Sequence, residues 1–451
     1  MQNRRELLQT LGAGFGMMGF AAQSMAAAKS PHFAPKAKRV IYLFLNGGIS
    51  HVDSFDPKPM LARHHGQPLP GPKFQTDRAS GNLMKSPFEF TRRARSGLEV
   101  SEIFPKFGDM IDDFCVIRSM YSDNGNHGPS LLLMNTGHQL AGRPSIGSWI
   151  TYGLGAENQN LPGFVAMCAG HPVLGAQLWD SGFLPSVHQG SYIPLTERTP
   201  DKLVQNISNQ SLTAAQQERQ LRLLDKLNKS FLKETGNNAQ MEAAIESMEV
   251  AYRMQTEAPR VFDLSKENEA TRERFGDHEF GRGCLLALRL AESGVRVSQV
   301  YFGNFQPWDS HDDILVHRKL AAVADKAMSA LVTGLKERGL WNDTVVLVGS
   351  EFGRTPMIQN SGLEKVGNGR DHNVHGYTVL LGGGGVKGGI AYGATDDFGY
   401  RAVEKKTHPH DLHATILHLL GLDHTRLTYR YSGRDFRLTD VAGNVLHEIL
   451  A

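Results

Sequence analysis

Two apolar runs constrain this chain more than anything else in it. Val40–Leu45 reads VIYLFL and Thr344–Gly349 reads TVVLVG, near-continuous runs of the kind found in strands buried on both faces. Each ends abruptly, the first at Asn46-Gly47-Gly48 and the second at Ser350-Glu351-Phe352-Gly353. Around them the second half of the chain alternates. Helical spacing over Phe280–Glu292 is followed by an apolar strand at Val295–Phe302. A helix over Lys319–Arg338 carries Val323, Ala327, Leu331 and Leu335 along one face, and a further strand is expected at Gly376–Leu381. The pattern predicts an α/β fold: a doubly wound, mainly parallel sheet with helices on both faces.

Phe114–Ile117 and Gly163–Ala169 are two more short strand candidates, whereas residues 54–100 and 170–210 read mostly as loop. Leu221, Leu224, Leu227 and Phe231, then Met241, Ile245, Met248 and Tyr252, recur at helical spacing. They predict a helical insertion at about 211–260 on a single domain spanning 29–451. Residues 1–28 carry Arg4-Arg5, a short glycine-interrupted apolar stretch and then Ala26-Ala27-Ala28. This is the pattern of a cleaved twin-arginine signal, which predicts export to the periplasm or beyond, with no membrane span after its removal. A formal charge of +2 gives no electrostatic case for nucleic acid. Cys115, Cys168 and Cys284 each sit in an apolar context and predict buried thiols rather than disulfides.

Ligands of such sheets gather at the carboxyl ends of the strands, and the chemistry-bearing residues cluster there in sequence. After the first strand come Asn46, His51 and Asp53. After Val295–Phe302 comes Gln306-Pro-Trp-Asp309-Ser-His311, in which Asp309 and His311 alternate and so face one way in an extended segment. After Thr344–Gly349 come Glu351, Arg354, Arg370, Asp371 and His372. Together they predict a mixed carboxylate and imidazole site, suited to zinc or manganese, whereas an all-oxygen site would favour calcium or magnesium. Plainer roles compete: Glu351 as a partner of Arg354, Asp312 and Asp313 as caps of the next helix, His413 and His418 as packed histidines. No phosphate loop, nucleophile elbow or dinucleotide fingerprint is present.

The twin arginines, LFLNGGISHVDSFDPKP (43–59), PWDSHDD, SEFGRTP, GRDH, and the stretch from HDLHATILHLLGLDH to GRDFRLTD resemble the exported bacterial proteins of domain-of-unknown-function family 1501. That family is sulfatase-like, within the alkaline phosphatase and sulfatase superfamily. The resemblance implies one or two divalent metals and a nucleophile that attacks a sulfate or phosphate ester. By position, Asp309, His311 and His372 match the ligands of one metal site. Glu351 stands where the second site has an aspartate, Phe352 where it has a histidine, and Asn46 where the first strand ends in an aspartate. Asp53 is a further candidate ligand, and Arg354 and Arg370 are candidates for binding the anion. His127-Gly-Pro-Ser130-Leu131 reads like the sulfatase signature with histidine in place of the modified cysteine. His127 therefore either attacks or binds metal. Two functions follow: a metal-dependent hydrolase of small-molecule or polysaccharide esters, or a non-catalytic relative that keeps the metal and binds a glycan or partner protein.

Overall fold

The computed structural model describes residues 30–451 except 75, 205–212, 214, 215, 217, 218, 221, 225, 227–256 and 360–366. The expected signal at 1–28 lies outside these residues, and so does most of the expected insertion at 211–260. Among the described residues no helix is long and apolar enough to cross a membrane.

Among the described residues eight strands form the central sheet. In chain order they are β1 (Arg39–Phe44), β2 (Phe114–Met120), β3 (Phe164–Cys168), β4 (Ser191–Pro194), β5 (Val297–Tyr301), β6 (Thr344–Gly349), β7 (Tyr377–Gly383) and β8 (Ile390–Tyr392). Their spatial order is β8-β2-β7-β6-β1-β5-β3-β4. Strand β1 lies at the centre, paired in parallel with β5 (Val40 opposite Val297) and with β6 (Val40 opposite Val345). Of these eight described strands, only β7 runs against its neighbours, β6 and β2.

The apolar runs are continuous because both faces of the sheet are covered. Ile41, Leu43, Val346 and Val348 point into one core, packed on α3 (Glu279–Glu292) and α4 (Val316–Glu337). Val40, Tyr42, Val345 and Leu347 point into the other, packed on α1 (His127–Thr136), α2 (Ile146–Leu154) and α5 (Pro409–Leu419). Successive strand residues thus feed opposite layers, as a doubly wound sheet requires.

Two stretches expected as loop hold short strands. In 54–100, Ser80–Leu83 pairs with Met357–Gln359, and Phe90–Arg93 pairs with Leu98–Ser101. In 170–210, β4 forms the sheet edge. These strands are three or four residues long and only partly buried, so they leave no apolar run to read. The cysteines are free and buried, as expected.

Candidate metal centre

Strands β1, β5 and β6 end side by side, and their following loops meet the first turn of α1. Gly47, just past β1, has φ +116°, and a Cβ on it would lie 2.6 Å from the Asp309 backbone nitrogen. Only glycine lets the β1 loop lie that close to the segment carrying Asp309. The Gly47 N–H donates to both oxygens of Glu351, at 2.9 and 3.1 Å, and Ser350 Oγ donates to Oε2 at 2.7 Å. Arg354 closes the join by donating to the Gly48 carbonyl at 2.8 Å and to Asp309 Oδ1 at 2.6 Å.

Three imidazoles surround Asp309. His311 Nε2 lies 2.9 Å from Asp309 Oδ1, His372 Nε2 lies 3.2 Å from the same oxygen, and His127 Nε2 lies 3.4 Å from Oδ2. The His311 and His372 Nε2 atoms are 3.0 Å apart. Each ring is held from behind through Nδ1. His372 Nδ1 donates to the Gly125 carbonyl at 2.7 Å, His127 Nδ1 to Glu351 Oε1 at 2.7 Å, and His311 Nδ1 to Gln359 Oε1. With the proton on Nδ1, a neutral ring turns its Nε2 lone pair inward. Lone pairs facing a carboxylate repel unless a cation or a shared proton sits among them.

The charges agree with that demand. Burial would raise the Asp309 carboxyl, but the close imidazoles of His127, His311 and His372 and the charge of Arg354 hold it far below the usual range. Burial likewise opposes ionisation of Glu351, and its bonds to His127 and Ser350 outweigh it. At His127 a proton takes the cation's place in the metal-free protein: burial pulls the ring down, but Asp309 and Glu351 carry it up to about 9, and a bound cation would displace that proton. Burial and the Arg354 charge keep His372 below its ordinary value despite Asp309. The pocket of carboxylates thus favours positive charge at one point.

A divalent cation fits this donor set. The ligand atoms of His127, Asp309 and His372 lie within 4.8 Å of one another, and nitrogen and oxygen donors in this number suit a tetrahedral ion such as zinc. Buried polar atoms of the network lack hydrogen-bond partners, among them His127 Nε2, Gln359 Nε2 and, in the loop after β1, Asn46 Oδ1. The other Asn46 atom, Nδ2, donates to the Phe305 carbonyl. A second grouping of His311, Asp371 and His372 is also close. Asp371, however, already accepts the His372 N–H at 2.8 Å and the Arg78 N–H at 2.7 Å.

The remaining candidates lie elsewhere in the network. Asp53 and Arg370 bind each other, Nε to Oδ2 at 2.7 Å, and Arg370 also donates to the Met84 and Thr355 carbonyls. Arg354 and Arg370 are both fully buried with donors turned to protein oxygens. His51 Nε2 donates to the Gly399 carbonyl at 2.7 Å. Asp313 accepts the Leu315 N–H just ahead of α4, but no side chain caps the first turn of that helix, so the expected capping role of Asp312 and Asp313 is not seen. His413 is buried and bonded to the Met134 carbonyl, and His418 is half-buried against Phe33. His408 caps α5, and His410 Nε2 donates to the Gly137 carbonyl. Gln359 and the Gly125 carbonyl were not expected, because their place depends on pairings with no local signature. Phe352 packs its ring on His372 and His127, with centroids 4.5 and 4.8 Å away.

No curated protein matches this chain. Among solved structures, it resembles the PsFucS1 sulfatase from Pseudoalteromonas sp., with 13% identity over 94% of this chain and 72% of that one and a TM-score of 0.35. A protein in the alkaline phosphatase superfamily from Vibrio parahaemolyticus shows 9% identity over 91% and 75%, with a TM-score of 0.35. The phosphonate monoester hydrolase of Agrobacterium radiobacter shows 13% identity over 86% and 74%, with a TM-score of 0.32. The sequence pattern of one family spans residues 37–450, nearly the whole described chain, and the protein accordingly belongs to the family of unknown function DUF1501.

Proposed function

We propose that this protein is a metal-dependent hydrolase of sulfate or phosphate esters, exported by the twin-arginine route and acting on a small-molecule or polysaccharide ester. The observation that carries the reading is the convergence of Asp309, His311 and His372 on one point, with each imidazole fixed through Nδ1. It lies past the ends of β5 and β6, where such sheets bind ligands. A divalent cation held there would withdraw charge from the ester group under attack. Asp309 is the most open of these side chains, 22% exposed against 7% for His311 and 5% for His372. Substrate therefore approaches from the Asp309 side. In this reading Arg354 keeps Asp309 in place, and the Asp53–Arg370 pair braces the loops, so neither arginine is the anion clamp. Zinc or manganese suits the donors better than calcium does.

One observation favours a non-catalytic, glycan- or protein-binding relative instead. Phe352 places carbon against His127 and His372 where a second metal would need a donor. Metal analysis of the folded exported protein, beside Asp309→Ala and His372→Ala, tests the centre. About one equivalent of metal in wild type and little in either variant is expected; a wild type that takes up none under zinc, manganese or calcium loading sinks the reading. A panel of aryl sulfates and aryl phosphates then separates hydrolase from binding protein.

A further inference from the structure

We infer that His127 is a fourth ligand of the same cation rather than the attacking group, with Glu351 holding it in place from behind. The inference rests on the metal reading above and concerns the residue that occupies the nucleophile position.

Three features of the geometry carry it. First, His127 repeats the arrangement of His311 and His372: Nδ1 on an oxygen acceptor, Nε2 turned to Asp309. Histidines that bind metal are held in this way, the outer hydrogen bond fixing tautomer and ring plane. Second, His127 Nε2 is buried and has no hydrogen-bond partner. It lies 3.4 Å from Asp309 Oδ2, a separation that an ion between them would bridge. Third, its ring is walled in, edge-on to His372 at 4.4 Å and against Phe352 at 4.8 Å. An attacking nitrogen needs its lone pair aimed at the substrate. This one is aimed at the other ligands.

Glu351 is spoken for by the same network. Both its oxygens accept from Gly47, Ser350 supports one, and His127 takes the other. A carboxylate bonded to Nδ1 raises the basicity of the ring it holds. The centre is then three imidazoles and one carboxylate around a single ion. No side chain at the nucleophile position is free to form a covalent adduct, so the oxygen that replaces the leaving group would come from water.

Zinc titration against a chromogenic chelator tests this on the full mature chain, comparing wild type with His127→Ala, His127→Asn and Glu351→Gln. The expected result is a loss of affinity of about 100-fold for both His127 variants and about 10-fold for Glu351→Gln. X-ray absorption of the zinc form should count three imidazoles in wild type and two in the His127 variants. Thermal melts of the metal-free proteins check that each variant is folded, and the asparagine variant serves if the alanine one is not. Unchanged affinity and imidazole count in a folded His127 variant would overturn the inference while leaving the centre of Asp309, His311 and His372 standing. An acid-labile phosphate adduct trapped on His127 during turnover would overturn it too. A wild type without metal would remove both readings.

Discussion

Arg370 grips both carboxylate oxygens of Asp53, Nε to Oδ2 at 2.7 Å and Nη2 to Oδ1 at 3.1 Å, and neither side chain has any solvent exposure. The pair ties the loop after β1 to the segment carrying His372. It therefore braces those loops, and Asp53 is taken up by Arg370 rather than by the donor set of the centre.

Removing one member of a buried pair strands the other charge, at a cost of about 3–5 kcal/mol. Arg370→Met should therefore lower the urea midpoint sharply. Asp53→Leu combined with Arg370→Met should recover much of the loss, because no unpaired charge remains. A double variant less stable than either single one would show that the pair adds net stability of its own.

Gln359 accepts from His311 Nδ1 through its side-chain oxygen. Gln359→Leu should weaken zinc binding about 10-fold and leave the sheet intact by circular dichroism. Affinity equal to wild type would mean that His311 is oriented by Asp371, 3.8 Å from the same nitrogen, and not by the amide.

Gly47→Ala should damage stability and metal binding together. Its Cβ would meet the Asp309 and Trp308 nitrogens at 2.6 and 2.8 Å, and its φ of +116° strains any L side chain. Overpacking of this kind costs about 1–3 kcal/mol, and relief requires moving Asp309. A variant that melts lower yet binds zinc as wild type does would show that the loop yields without moving the ligand.

Acid should destabilise the fold through His413. Burial pushes this histidine down to about 3, while in the unfolded chain it titrates near the ordinary value of about 6.5. Between those values the unfolded state binds the extra proton. Stability from this group is complete above about 6.5, falls as pH drops, and stops falling below about 3. The slope is at most about 1.4 kcal/mol per pH unit. Subtracting the stability curve of His413→Gln from that of wild type should isolate it. Parallel curves across that window would remove His413 as the cause.

Much of the architecture is legible without coordinates, for a local reason. Runs such as VIYLFL and TVVLVG are apolar in both registers, and only a strand covered on both faces needs that. The spacing of Asp309 and His311 is equally local, since alternate residues of an extended segment share a side. Short edge strands such as Ser191–Pro194 left no such trace, and neither did the reversed direction of β7. Strand direction depends on which neighbour accepts the hydrogen bonds, not on the residues of the strand alone.

The amino-acid sequence by itself determined that acids and histidines would gather past the strand ends, and which loops would bring them. Only the tertiary structure decided what each one does there. It turned Nε2 of His127, His311 and His372 toward Asp309, gave Glu351 to His127, and locked Asp53 onto Arg370. The physical reason is that a buried polar group must be paired. Its partner is chosen by proximity in space, from residues as far apart in the chain as Asp53 and Arg370.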